Sequence, residues 1–145
     1  MPLSLGTPHH IRFTVTDVAR SQKFYTELLG LQVAAAEAPP EEHEHHKELV
    51  DTLQGGVVLT NGAMLIGLRP VAPGHEGDRF DPFRVGLDHV SFALDTRAEL
   101  DAKVAELDAA GIEHGPVRTL DSFQLAFLAF FDPDGIALEF TAPIS

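Results

Sequence analysis

An internal repeat is what most limits the folds open to this chain. Ile11, Phe13 and Val15 alternate with His10, Arg12 and Thr14, the period-two signature of a strand with one apolar face. Asp17 follows where a helix N-cap belongs, Phe24, Leu28 and Leu31 continue at helical spacing, and Gly30 can end the helix in a left-handed residue. The pattern then starts again. Val90, Phe92 and Leu94 alternate with His89, Ser91 and Ala93, Asp95 or Thr96 caps a helix, Leu100, Val104 and Leu107 form its buried stripe, and Gly111 closes it. His10 and His89 lie 79 positions apart, Gly30 and Gly111 81, and the turn glycines Gly62 and Gly135 73. Repetition at this spacing predicts two similar β-α-β-β-β units whose sheets pack or join around a shared core.

The remaining segments fill in each unit. LQVAAAEA reads as a strand after the first helix, and residues 55–60 and 63–69 flank Asn61-Gly62, a strong hairpin-turn dipeptide. Residues 39–53 are acidic, His-rich and opened by two prolines, which predicts a mobile loop with room for a helical turn. Residues 113–118 and 122–131 read as strands, Asp132-Pro133-Asp134-Gly135 as a turn, and IALEFTA as the closing strand. Residues 70–86, rich in Pro, Gly and Asp, form a linker between a first module over 1–69 and a second over 87–145, the two making one domain.

Composition removes whole classes of function. With 10 basic and 22 acidic residues the formal charge is −12, and the basic residues are scattered, so nucleic acid and anionic membranes are not expected partners. The absence of cysteine excludes disulfides, thiolate metal sites and cysteine nucleophiles. No apolar run is long enough to span a bilayer and the N-terminus lacks a signal-peptide pattern, which makes the cytoplasm the expected location.

The candidate chemistry lies in the repeat itself. His10 and His89 hold the same place in each module, on the first strand and opposite its apolar residues. Glu139 stands on the last strand, sharing a face with Ala137 and Thr141 while Leu138 and Phe140 point away. If these faces curve around one cleft, two imidazoles and a carboxylate converge, a set suited to one divalent cation (Fe²⁺, Mn²⁺, Ni²⁺ or Zn²⁺) with coordination positions left open. Arg12 and Thr14 share the His10 face, and Arg12 either holds an anionic substrate group or bridges to an acid of the same sheet. Ser91 and Gln124, the latter read onto a central strand, are further substrate-binding candidates. His9 should face away from the cleft and Tyr25 should pack. His43, His45 and His46 belong to a solvated loop that is also a candidate lid. His114 is a general-base candidate without an assigned place, and no catalytic acid or base is identified.

The run from His10 to Asp17, with Ser21, Phe24-Tyr25 and Leu29-Gly30-Leu31, resembles the opening module of the glyoxalase/bleomycin-resistance/extradiol-dioxygenase superfamily. Leu87-Asp88-His89-Val90-Ser91-Phe92 and the run from Phe131 to Phe140 resemble the same module again, so the likeness spans nearly the whole chain. It implies an α+β fold in which two βαβββ modules form a curved mixed sheet around a metal cleft. It also implies a homodimer, and a substrate whose oxygens chelate the metal. One departure stands out: counting four past Gly62, as Glu139 is four past Gly135, lands on Ile66 with Gly67 next, and neither can bind a metal. The remaining set of His10, His89 and Glu139 is similar to that of extradiol dioxygenases and fosfomycin-modifying transferases. The expected function is therefore a metal-dependent enzyme acting on a small oxygen-bearing substrate. The alternative is a ligand-sequestering, bleomycin-resistance-like binding protein.

Overall fold

The computed structural model of the chain describes residues 3–145. Two compact units divide it, one ending at Asp78 and the other beginning at Arg79. Each carries one four-stranded mixed sheet, and the two sheets have the same topology.

In the first unit, β1 (His10–Val15) leads through α1 (Val18–Lys23) to β2 (Gln32–Ala35), α2 (His46–Leu53), β3 (Val57–Thr60) and β4 (Leu65–Pro70). The strand order is β1-β4-β3-β2, with β1 parallel to β4 and the other pairs antiparallel. Asp17 caps α1 by accepting from the Arg20 N–H at 3.0 Å, an arrangement worth about 1 kcal/mol. The helix then widens into a π-turn over Phe24–Leu28, where neighbouring Phe24 and Tyr25 are both buried and Tyr25 stacks on Phe13 at 5.9 Å. Gly30, at φ 72°, reverses the chain and lets the Leu31 N–H reach the Tyr25 carbonyl at 3.0 Å. Asn61 closes the β3–β4 hairpin by accepting from the Ala63 and Met64 N–H groups. Residues 39–53 depart from the expected loop: His46–Leu53 is a two-turn helix. Leu49, Val50 and Leu53 do fall at helical spacing, but the prolines and the acidic, His-rich run before them mask this short stripe.

The second unit runs β5 (Val90–Ala93), α3 (Arg97–Ala109), β6 (Arg118–Leu120), β7 (Leu125–Phe131) and β8 (Ala137–Pro143), in the order β5-β8-β7-β6 with β5 parallel to β8. Thr96 and Glu99 form a reciprocal capping box at the start of α3. Ala126, Leu128 and Phe130 of β7 and Leu138, Phe140 and Ala142 of β8 are buried in strict alternation, with Phe130 stacked on Phe140 at 4.6 Å. Leu100 and Leu107 of α3 are buried too; each such large apolar side chain contributes about 1.5–3 kcal/mol. Asp132 Oδ1 accepts from the Asp134 and Ile136 N–H groups and sets the turn into β8. The strand expected at 113–118 is shorter and later: His114 joins Phe130 only through an isolated bridge, and β6 begins at Arg118. Among the described residues no helix is long and apolar enough to cross a membrane.

Candidate functional site

The alternation that buries Leu138 and Phe140 turns Ala137, Glu139 and Thr141 to the opposite face of the second sheet. On the parallel neighbour, Ser91 stands beside Glu139 and Ala93 beside Thr141. His89 precedes β5 by one residue, and its Nε2 lies 3.9 Å from Glu139 Oε1. Behind the imidazole, Nδ1 meets Asp88 Oδ1 at 2.6 Å. Thr141 donates to Glu139 Oε1 at 3.0 Å and is in turn held by the Ser91 hydroxyl. Two of the three expected ligands thus form a close pair, each oriented from behind. Such backing groups fix ligand geometry in metal sites.

Glu139 of this pair lines a basin of about 400 Å³, with Ser91 and Thr141 on one side and Ala93, Leu120, Leu125 and Phe127 on the other. Leu120, Leu125 and Phe127 were not anticipated as site residues, although their position on the face shared with Thr141 follows from the period-two pattern of β7. Asp88 was also missed, because nothing in its local pattern distinguishes a backing carboxylate from a surface one.

The same face of the first sheet is built differently. Arg12 pairs with Gly67 across β1 and β4 as Ser91 pairs with Glu139 across β5 and β8. The counterpart of Glu139 is therefore Gly67, one residue beyond the Ile66 reached by counting from Gly62, because Gly62 lies three residues before the last strand of its hairpin and Gly135 two. A Cβ at Gly67 would come within 2.9 Å of Arg12 Cγ, so the arginine stem lies flat over the glycine. Its Nη2 then donates to the carbonyls of Thr52 at 2.7 Å and Leu53 at 3.0 Å, at the C-terminal end of α2. Its guanidinium thus serves helix carbonyls, where a cation also complements the helix dipole.

The other candidates are dispersed. His10 starts β1 in the first unit, exposed, with its Nδ1 2.9 Å from that of His9. Thr14 is exposed on the same face, opposite Arg69. Gln124 is not on a central strand: it follows a 3₁₀ turn at Asp121–Phe123 with φ 54°, and its side chain donates to the Asp121 carbonyl at 2.7 Å. Left-handed backbone there ends the turn and delays β7 to Leu125. Tyr25 is fully buried, as expected of a packing residue. His46 Nδ1 lies 2.7 Å from the Pro39 carbonyl oxygen, while His43 and His45 are exposed with their rings 5.6 Å apart. His114 bonds the Gly115 carbonyl through Nδ1 at 2.7 Å and Asp108 Oδ1 through Nε2 at 3.0 Å, and these acceptors raise its pKa above 6.5. Among the described residues no group of three or more His, Cys, Asp or Glu side chains is gathered closely enough to hold a metal ion.

Known proteins share this architecture. The "Uncharacterized protein YaeR" of Escherichia coli (strain K12) is 33% identical over 138 residues, covering 94% of this chain and 96% of that protein. The "Uncharacterized protein YwkD" of Bacillus subtilis (strain 168) is 33% identical over 135 residues, covering 93% and 95%. A solved glyoxylase/bleomycin resistance protein/dioxygenase domain from Frankia sp. EAN1pec superposes with a TM-score of 0.69 at 27% identity, over 98% of this chain and 93% of that one. Residues 7–140 match the sequence profile of the Glyoxalase/Bleomycin resistance protein/Dioxygenase superfamily, and the chain belongs to that superfamily.

Proposed function

We propose that the chain is a metal-dependent enzyme of this superfamily, acting on a small substrate that chelates the cation through its oxygens. The observation that carries this reading is the His89–Glu139 pair. With Nδ1 2.6 Å from Asp88 Oδ1, the ring directs Nε2 toward the Glu139 carboxylate 3.9 Å away. An imidazole nitrogen and a carboxylate facing each other can hold a cation between them. Metal–ligand bonds of about 2.0–2.2 Å bring two donors on one cation to within roughly 4 Å of each other, so the pair fits with little adjustment. His10, the repeat counterpart of His89, is the proposed third ligand, and the chain is proposed to act as a homodimer, as membership of the superfamily implies.

When bound, the cation would supply Lewis acidity and a template for substrate oxygens. The protein's own part is positional: Asp88 orients His89, the Ser91–Thr141 pair orients Glu139, and the apolar side of the basin receives the body of the substrate. Binding without turnover is the second reading, and the apolar wall of the basin favours it. That reading predicts that metal-free protein holds hydrophobic or cationic drugs with undiminished affinity.

Metal analysis of the purified protein tests the proposal. The expected result is about one equivalent of iron, manganese, nickel or zinc per chain, lost in His89→Ala and in Glu139→Ala. Metal content unchanged in both variants would falsify it.

A further inference from the structure

The face that carries the His89–Glu139 pair continues outward across two more strands. Register places Ala93 beside Thr141, Thr141 beside Phe127 and Phe127 beside Arg118, and directly paired residues stand on the same face of a sheet. Arg118 therefore ends a row that begins at the Ser91 side of the basin and passes over its aromatic floor. Strand spacing puts the Arg118 strand about 10 Å from the Glu139 strand.

The chain has 10 basic residues against 22 acidic ones, and most of the basic side chains are committed to partners. Lys47 pairs with Asp51, Arg97 with Asp101, Lys103 with Glu106, and Arg12 is committed to the carbonyls that end α2. The side chains of Arg69, Arg79, Arg84 and Arg118 have no hydrogen-bond or ion-pair partner among the described residues, and of these only Arg118 stands on a strand of the second sheet. An unpaired guanidinium beside an apolar basin has the planar fork that matches a carboxylate.

We propose that Arg118 is the anion-reading, specificity-determining residue of this face. The substrate class it selects is a compact amphipathic anion. Its flat apolar body lies over Leu125 and Phe127, an anionic group meets Arg118, and oxygens at the far end reach the His89–Glu139 pair. The placement of the oxygens rests on the metal reading above; the anionic end does not.

The test uses the intact protein freed of metal by a chelator, so its outcome is independent of whether a cation binds. 2-Naphthoate and 2-naphthol share one ring system and differ in charge at neutral pH. Their fluorescence is readable because the chain has no tryptophan. Naphthoate is expected to bind at least fivefold more tightly than naphthol. Arg118→Gln should abolish that preference while leaving naphthol binding within twofold, Arg118→Lys should restore part of it, and Phe127→Ala should weaken both probes. The proposal is overturned if naphthoate shows no preference, if Arg118→Gln weakens both probes equally, or if neither probe binds.

Discussion

The two modules have one backbone plan and opposite uses for the same face. In each sheet the first strand runs parallel to the last and alternating side chains bury one surface. At the paired position where the second module has Ser91 and Glu139, the first has Arg12 and Gly67. The second module keeps short side chains and a carboxylate there and leaves a basin open beside them. The first lays an arginine across the sheet, and that arginine reaches α2, an element for which the second module has only a 3₁₀ turn. Register constrains which residues meet but leaves free what they do, so one repeat came to serve as a candidate site and the other as a helix anchor.

Replacing Gly67 is the strongest way to break this comparison. Gly67→Val should force the Arg12 stem away, remove two charge-assisted hydrogen bonds from the end of α2, and cost about 2 kcal/mol of stability in urea unfolding. Amides of α2 should lose protection in hydrogen exchange while β5 and β8 keep theirs. In an Arg12→Ala background the same change should cost close to nothing, because the coupled partner is already gone. Equal costs in both backgrounds would show that the glycine serves something other than the arginine.

A smaller effect separates the modules by pH. The clasp in the first uses an arginine, which stays charged at every accessible pH. The clasp in the second uses His114, whose ring nitrogens face the Gly115 carbonyl oxygen and the Asp108 carboxylate, so both hydrogen bonds require the cationic ring. Its pKa is raised, first by the Gly115 carbonyl and then by Asp108. A raised value in the folded state means the stabilisation is complete below the unfolded value of 6.5 and is lost as pH rises through the folded value. Stability should therefore fall slightly on going from mildly acidic to mildly alkaline solution. His114→Gln should flatten that part of the profile, and an unchanged slope in the variant would remove the clasp from the account.

Much of this architecture is legible in the residues, and the parts that are not have identifiable causes. Strands with one buried face announce themselves by alternation, as in Ile11, Phe13 and Val15, and caps such as Asp17 and Thr96 act through neighbours in sequence. The face of Glu139 follows from its neighbours Leu138 and Phe140. Helix α2 is masked by the prolines and acidic run before it, and its anchor, Arg12, lies 40 residues from Thr52. The register of Gly67 does not follow, because it depends on where the turn glycine sits within its hairpin rather than on composition. Gln124 was misread because a left-handed residue outside glycine leaves no mark in a run of apolar neighbours. Local rules capture local causes; contacts across the sheet need the pairing itself.

The proposed cation site rests on the His89–Glu139 pair of the second module, whose paired position in the first module holds Arg12 and Gly67. Titration of metal-free protein with Co²⁺, followed by visible absorption, reads this directly because ligand-field bands report the donor set. One equivalent per chain is predicted, with the bands abolished in His89→Ala and in Glu139→Ala and unaffected by Arg12→Ala. Bands that persist in both ligand variants would contradict the account.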